Sequence, residues 1–352
     1  MKHFPLHVLG LMSGTSLDGL DLCLARFNRD GSSRWTFDIL AAETFPYSPA
    51  WTQKLQQAHT LGAFDFVALH RQYGAFLGEQ AASFLRGKNL RADCVASHGH
   101  TVFHQPQRGV TFQLGDGAAL AAAADMPVVS DFRSLDVALG GQGAPLVPIG
   151  DRMLFAAYDR CLNLGGFANI SFEQDGQRVA FDVCPCNIAL NALSRLLGEP
   201  YDSGGALAAQ GSVSSALLDE LNALDFYAQR GAKSLGREWV EEVFLKKIAA
   251  HAISAHDRLR TVCEHIAMQV ARCARGGTML ATGGGAFNAF LMQRIAKLSP
   301  CRAVIPDAQI VNFKEALIFA FLGTLYVSNE VNTLASATGA KRNSIGGSLV
   351  KG

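Results

Sequence analysis

The sequence predicts an α/β fold of two domains, and three observations carry that expectation. An apolar run over residues 8–13 breaks into Gly14-Thr15-Ser16-Leu17-Asp18-Gly19, with Asp21 just beyond. The pattern then restarts: residues 161–164 are again apolar and again meet glycines, in Gly165-Gly166-Phe167-Ala168-Asn169. Composition is the third observation. The chain has 352 residues, 49% hydrophobic and 17% charged, with 35 glycines. That length is more than one core ordinarily organises. The apolar, glycine-rich balance suits buried strands joined by tight turns.

In chain order, residues 8–12, 20–27 and 35–42 read as strands, with Asn28-Arg29-Asp30-Gly31 as a hairpin turn between the last two. Residues 51–85 read as a helix, because Phe66, Leu69, Tyr73, Phe76 and Leu77 recur at helical spacing. A short strand, 94–97, ends in Ser97-His98-Gly99-His100, and Gly140-Gly141-Gln142-Gly143-Ala144-Pro145 marks the domain crossover. Strands follow at 161–164, 170–173 and 179–183, then a mobile loop at 200–211. Residues 240–255 and 259–274 read as helices, 278–281 as a strand entering Gly283-Gly284-Gly285, and 288–298 as a helix. The polar tail after Thr338 is expected to fray.

The first glycine loop is chemically suited to a phosphate. Glycine lets backbone N–H groups approach an anion, Thr15 and Ser16 add hydroxyls, and Asp18 and Asp21 can hold a hydrated divalent metal. It is not a P-loop, since no lysine follows the glycines. A plain β-turn remains open as the alternative. For Gly283-Gly284-Gly285 the alternatives are a cradle for a ring or phosphate and a ligand-free strand-to-helix turn.

Charge and cysteine usage exclude several classes. A net charge of +1 gives no footprint for nucleic acid or an anionic membrane. No apolar run in the sequence approaches a membrane span, and Pro5 and His7 interrupt any signal peptide. The eight cysteines are scattered without a Cys-x-x-Cys pair, which points to reduced thiols and a cytoplasmic protein.

Three glycine loops in this order resemble the two-domain ATPases of the actin-like, sugar-kinase superfamily. The resemblance narrows over residues 8–325. Gly10 to Gly19 resembles the opening motif of the anhydro-N-acetylmuramic acid kinases. Ser97-His98-Gly99-His100-Thr101-Val102 and Gln113-Leu114-Gly115-Asp116-Gly117 are similar to the next blocks. Asp131-Phe132-Arg133 through Gly140-Gly141-Gln142-Gly143-Ala144-Pro145-Leu146-Val147-Pro148 follows, then Asn163 to Ile170, Lys233-Ser234-Leu235-Gly236-Arg237-Glu238 and Lys314-Glu315-Ala316.

That resemblance implies an actin-like pair of lobes around a nucleotide cleft: a first lobe over 1–140 completed by 310–352, and a second over 141–309. It implies ATP-dependent hydrolytic phosphorylation of 1,6-anhydro-N-acetylmuramic acid to N-acetylmuramic acid 6-phosphate in cell-wall recycling, with ATP and Mg²⁺. Asp182 would be the base that activates water. The ATP-binding residues would be Gly14, Thr15, Ser16, Leu17, Asp18, Gly19, Leu20, Asp21, Gly165, Gly166, Asn169, Gly283, Gly284 and Gly285, with Asp18 and Asp21 holding the metal through water. His98, Asp131, Arg133 and Glu315 would face the sugar. Arg133 fits the lactyl carboxylate as a bidentate partner, or else pairs with Asp131 or Asp136. His98, His100 and His104 carry only a superficial metal spacing. A homodimer is left open.

One block departs from the family pattern. Where relatives commonly read Phe-Asp-Thr-Gly-Pro-Gly-Asn, this chain has Phe181-Asp182-Val183-Cys184-Pro185-Cys186-Asn187. Cysteine for glycine bears on the loop's shape. Two other readings stay open in the sequence: a weakened muropeptide-sensing ATPase, and another actin-like sugar kinase or chaperone-type ATPase.

Overall fold

The computed structural model describes residues 4–14, 17–229 and 233–352. Thr15 and Ser16, expected to contact phosphate, lie outside the described residues. The chain divides into two compact units, residues 1–154 with 313–352, and residues 155–312.

Each unit is built on the same strand plan. β1 (Leu6–Ser13), β2 (Gly19–Arg29) and β3 (Trp35–Pro46) form an antiparallel meander. β4 (Cys94–Gln105) lies parallel to β1, β5 (Val110–Leu114) folds back on β4, and β6 (Val128–Ser130) runs parallel to β4. In the second unit β7 (Arg160–Leu164), β8 (Phe167–Gln174) and β9 (Gln177–Pro185) repeat the meander. β10 (Thr278–Thr282) is parallel to β7, and β11 (Arg302–Val304) is parallel to β10. β12 (Ser348–Val350) closes the first sheet antiparallel to β6. The run β6-β4-β1-β2-β3 of the first sheet matches β11-β10-β7-β8-β9 of the second in order and direction. This duplication is the actin-like arrangement.

Parallel central strands are covered on both faces, which is why β1 is apolar without alternation: Val8, Leu9 and Leu11 are all buried. Helix Ala308–Val327 lies against it so closely that a Cβ on Gly10 would overlap the Ala316 carbonyl and sit 2.7 Å from the Ala320 nitrogen. This helix does reach membrane-spanning length and apolarity, unlike the sequence expectation. It is a core helix, with two-thirds of its apolar window buried in the protein.

Several expected elements differ. The helix expected over 51–85 is two, Pro49–Gln57 and Ala63–Gly87, separated at Gly62. The expected loop at 200–211 is ordered: the buried Asp202 carboxylate accepts from the Leu207 and Ala208 N–H groups at 2.8 and 3.0 Å, starting helix Ala206–Ala209. The helix expected over 240–255 stops at Ala249, and Ser254 caps the next, Ala255–Cys273. The tail does not fray, because β12 pairs with β6 and Thr338 donates to Asp136 at 2.7 Å. The first division falls after Leu154 rather than at 140. Asp136 accepts from the Gly143 N–H at 2.7 Å, and a buried Lys314–Asp151 pair at 2.7 Å ties residues 141–154 into the first unit.

Candidate active site

In the first unit the turn between β1 and β2 carries the acidic pair. Leu17 adopts a left-handed backbone (φ 62°), and its N–H reaches the Gly14 carbonyl at 3.4 Å. Asp18 is exposed, whereas Asp21 is half-buried at the start of β2 and accepts from Thr44 Oγ1 at 2.5 Å. Burial holds the Asp21 carboxyl above its ordinary range; Thr44 opposes this and the Asp18 charge adds to it. Two hard oxygen donors that repel each other beside solvent suit a hydrated divalent cation. Gly19 is fixed by close approach, since a Cβ there would stand 2.6 Å from the Phe45 carbonyl oxygen.

Beneath the turn runs a buried hydroxyl chain that sequence reading missed. Tyr47 donates to Ser13 Oγ at 2.8 Å, so at the 2.6 Å Tyr47–Tyr73 contact Tyr73 is the donor. Ser13 is then free to donate to His100 Nδ1 at 3.1 Å, and burial lowers that ring to about 4, leaving it neutral. The polar chain therefore stiffens the end of β1. Nothing in residue spacing signals it, because the four side chains come from β1, the loop after β3, helix Ala63–Gly87 and β4.

Arg133 donates to His98 Nε2 through Nε (3.1 Å) and Nη2 (2.9 Å), and to the Gly143 carbonyl through Nη1 (2.6 Å). A guanidinium only donates, so His98 must present a lone pair at Nε2 and carry its proton on Nδ1. Burial first, then the Arg133 charge, hold His98 well below its usual range. Among the described residues Arg133 makes no ion pair with Asp131 or Asp136; burial brings it down to about 10, still cationic at neutral pH. Asp131, left-handed at φ 59°, accepts from Ser134. A cavity of about 210 Å³ is bounded by Ser97, His98, Gln113, Gly117, Ser130 and Asp131. Glu315 sits within helix Ala308–Val327; desolvation raises its carboxyl, with Asp21 and Asp151 adding to this and Lys314 and Arg133 opposing it. The Glu315 carboxyl thus lies within the electrostatic reach of both Asp21 and Arg133. His104 meets Thr111 at 3.1 Å, and burial first, then the Arg133 charge, lower its ring from the usual range. Among the described residues no cluster of three metal-ligating side chains occurs.

In the second unit the glycine loops converge. The Gly165 and Gly166 carbonyls accept from the Asn187, Cys186 and Ile188 N–H groups at 2.9–3.1 Å, so the turn rests on the start of helix Asn187–Arg195. Asn187 also donates to the Leu164 carbonyl at 3.0 Å. Gly283 (φ 79°) and Gly285 press on the same strand end: a Cβ would stand 2.5 Å from Asn163 Oδ1 and 2.7 Å from Leu164 Cβ, respectively. Asn169 faces Asp182 across β8 and β9. The Asp182 carboxylate accepts the Leu235 N–H at 2.8 Å, and desolvation brings it up to about 6. Neither cysteine that replaces glycine adopts a left-handed backbone. Cys186 has φ −125°, and both Cys184 and Cys186 are fully buried in the core.

A duplicated sheet with a glycine turn after the first strand of each half defines an actin-like α/β fold. Comparison with known proteins narrows it. The family model described as "Anhydro-N-acetylmuramic acid kinase" matches residues 6–352. The chain is 34% identical to the protein of that name from Gloeobacter violaceus, over 96% of this chain and 97% of the relative. It is 36% identical to that from Vibrio cholerae, over 95% of each, and 36% to that from Pseudomonas putida, over 95% and 96%. The chain belongs to the anhydro-N-acetylmuramic acid kinase family. Membership makes it a kinase of cell-wall recycling that uses ATP.

Proposed function

We propose that the protein takes ATP and 1,6-anhydro-N-acetylmuramic acid to ADP and N-acetylmuramic acid 6-phosphate, with Asp182 as general base. The observation that carries this reading is the Asp182 carboxyl, desolvated to about 6 and held by one backbone N–H. At neutral pH such a group is mostly ionised yet a better base than an ordinary carboxylate. Water attacks the anomeric carbon as Asp182 takes its proton; the carbon–O6 bond breaks, and the released O6 becomes the acceptor for the γ-phosphoryl group. Phosphoryl transfer then depends on alignment and charge neutralisation. Mg²⁺, when bound, would neutralise phosphate charge, and Asp18 and Asp21 are the residues that would hold it through water. Gly14 to Gly19, Gly165, Gly166, Asn169 and the Gly283–285 loop would line the nucleotide.

On the sugar side, the cavity beside His98 and Asp131 is at the scale of one ring rather than a larger ligand. Three of the five Arg133 donors serve His98 and Gly143, leaving the others for the lactyl carboxylate. Glu315, whose carboxyl desolvation raises from its ordinary range, can hydrogen-bond a sugar hydroxyl. Buried thiols such as Cys184 and Cys263 fit a reducing cytoplasm. Incubation with Mg-ATP and the anhydrosugar should yield the 6-phosphate sugar, read by mass. Binding of both ligands without product would leave the protein a sensor.

A further inference from the structure

Lys233 is charged, stands next to the candidate base and has no part in the reaction above. Its carbonyl accepts the Asp182 N–H at 2.9 Å, and two residues on the Leu235 N–H donates to the Asp182 carboxylate at 2.8 Å. Residues 233–235 therefore grip Asp182 by main chain and side chain at once. Yet this segment belongs to no helix or strand, and Ser234 and Gly236 are exposed. Its own backbone supplies little rigidity, so a side chain must anchor it.

The Lys233 ammonium donates to the Phe226 carbonyl at 3.1 Å. It lies 4.4 Å from the centroid of the Phe226 ring, 5.8 Å from Tyr227 and 5.9 Å from Phe181, the residue before Asp182. Three aromatic faces around one cation form a seat specific for a positive charge. The seat is itself fixed. Asn222 Oδ1 takes the Gln269 amide (2.6 Å) and the His265 Nδ1 proton (2.9 Å), so His265 Nε2 accepts from the Tyr227 hydroxyl at 2.8 Å. Burial keeps His265 neutral, down at about 3. The other groups facing the ammonium are the Cys184 and Cys273 thiols, both held in their neutral forms by burial, with Arg160 and Arg272 near Cys273 and Arg272 near Tyr227.

We propose that Lys233 is a positioning residue: its ammonium, seated among Phe181, Phe226 and Tyr227, holds residues 233–235 where the Leu235 N–H aims and supports the Asp182 carboxylate. The inference rests on the reading of Asp182 as the base.

The test compares Lys233→Met, Lys233→Arg and Asp182→Asn in the full-length enzyme, following kcat, KM and the pH dependence of kcat/KM. Lys233→Met should lower kcat about tenfold, as misalignment of a catalytic group does, with KM for ATP and sugar within twofold. Its acidic limb should move to higher pH, because the ionised carboxylate has lost a hydrogen bond that favours it. Lys233→Arg, which keeps the cation, should restore both. Lys233→Gln, without charge but with a donor for Phe226, is measured alongside in case methionine unfolds the segment, and should show the same limb shift at smaller size. Normal turnover and an unmoved limb in Lys233→Met or Lys233→Gln, with Asp182→Asn inactive, overturn the positioning role and leave the base intact. A Lys233→Arg enzyme as impaired as Lys233→Met overturns it too. Full turnover in Asp182→Asn removes the base reading and takes this inference with it.

Discussion

Asp182 is held where its neutral form is favoured, and that has a consequence for stability as well as for rate. Its carboxyl is raised from 3.8 to about 6, so the folded state binds the proton more tightly than the unfolded state. Stability therefore falls as pH rises from about 4 to about 6, and the deficit persists above that. Asp182→Asn should be more stable than the parent at pH 7.5 by up to about 3 kcal/mol, and equal to it below pH 4, in urea unfolding followed by circular dichroism. The same variant should lose about 10²–10⁴-fold in turnover, with product and ADP falling together. The kcat/KM of the parent should fall on the acidic side with a midpoint near pH 6. A second outcome concerns the exposed Asp18 carboxylate: Asp18→Asn should raise the Mg²⁺ needed for half-maximal rate while the melting curve stays put. Unchanged activity at limiting Mg²⁺ would count against a metal role. Asp18, Asp21 and Asp182 were legible as candidates, the first two because they follow a glycine turn and the third because it stands at a strand end in a block that resembles the family's. The Arg133–His98 bond and the Lys233 grip on Asp182 were not, since each joins segments far apart in the chain through contacts that no local spacing encodes.

At the scale of elements, close approach matters more than propensity. Gly10 lies where strand β1 meets helix Ala308–Val327, and any Cβ there strikes helix backbone rather than a side chain that could turn aside. Gly10→Ala should cost about 3 kcal/mol or more, at the upper end of overpacking effects, measured as a drop in the urea midpoint. Gly31→Ala, with no atom within 4 Å of the added Cβ and no left-handed backbone, should be near neutral. β1 and β7 were readable because each also pairs with a parallel neighbour inside its sheet and is apolar over most of its length, and the antiparallel strands beside them were readable from apolar residues bounded by turn residues. β12 was not. Ser348 and Leu349 are exposed and the element is only three residues long, so nothing local distinguishes it from a loose tail; pairing with β6 makes it a strand. The 200–211 segment misled for a related reason: its Gly and Ser look loose, but one buried carboxylate, Asp202, organises it.

At the scale of the molecule, the first unit is discontinuous and the second is one uninterrupted stretch. Residues 313–352 supply β12, the Thr338–Asp136 bond and most of the core helix against β1. A chain ending at residue 312 should leave β1 and β6 uncovered and be digested through its first 154 residues by dilute protease, while residues 155–312 resist. Equal protection of both would show that the C-terminal residues are dispensable to the first unit. The repeated strand plan was legible as a restart of the sequence pattern at residue 161. The exact divisions were less so, because the glycine-rich 140–145 segment looks like a linker but is bonded into the first unit through Asp136.

That discontinuity has a temporal side. On the ribosome the chain emerges from its N-terminus at about 5–20 residues per second, so residues 155–312 are complete before the segment that covers β1 exists. The second unit can fold at once, whereas the first must wait with its apolar central strands exposed for the seconds that separate Leu154 from Ala316. Nascent chains stalled just after residue 312 should therefore recruit holdase chaperones through β1 and β4, and release them when the helix beyond Asn312 leaves the tunnel.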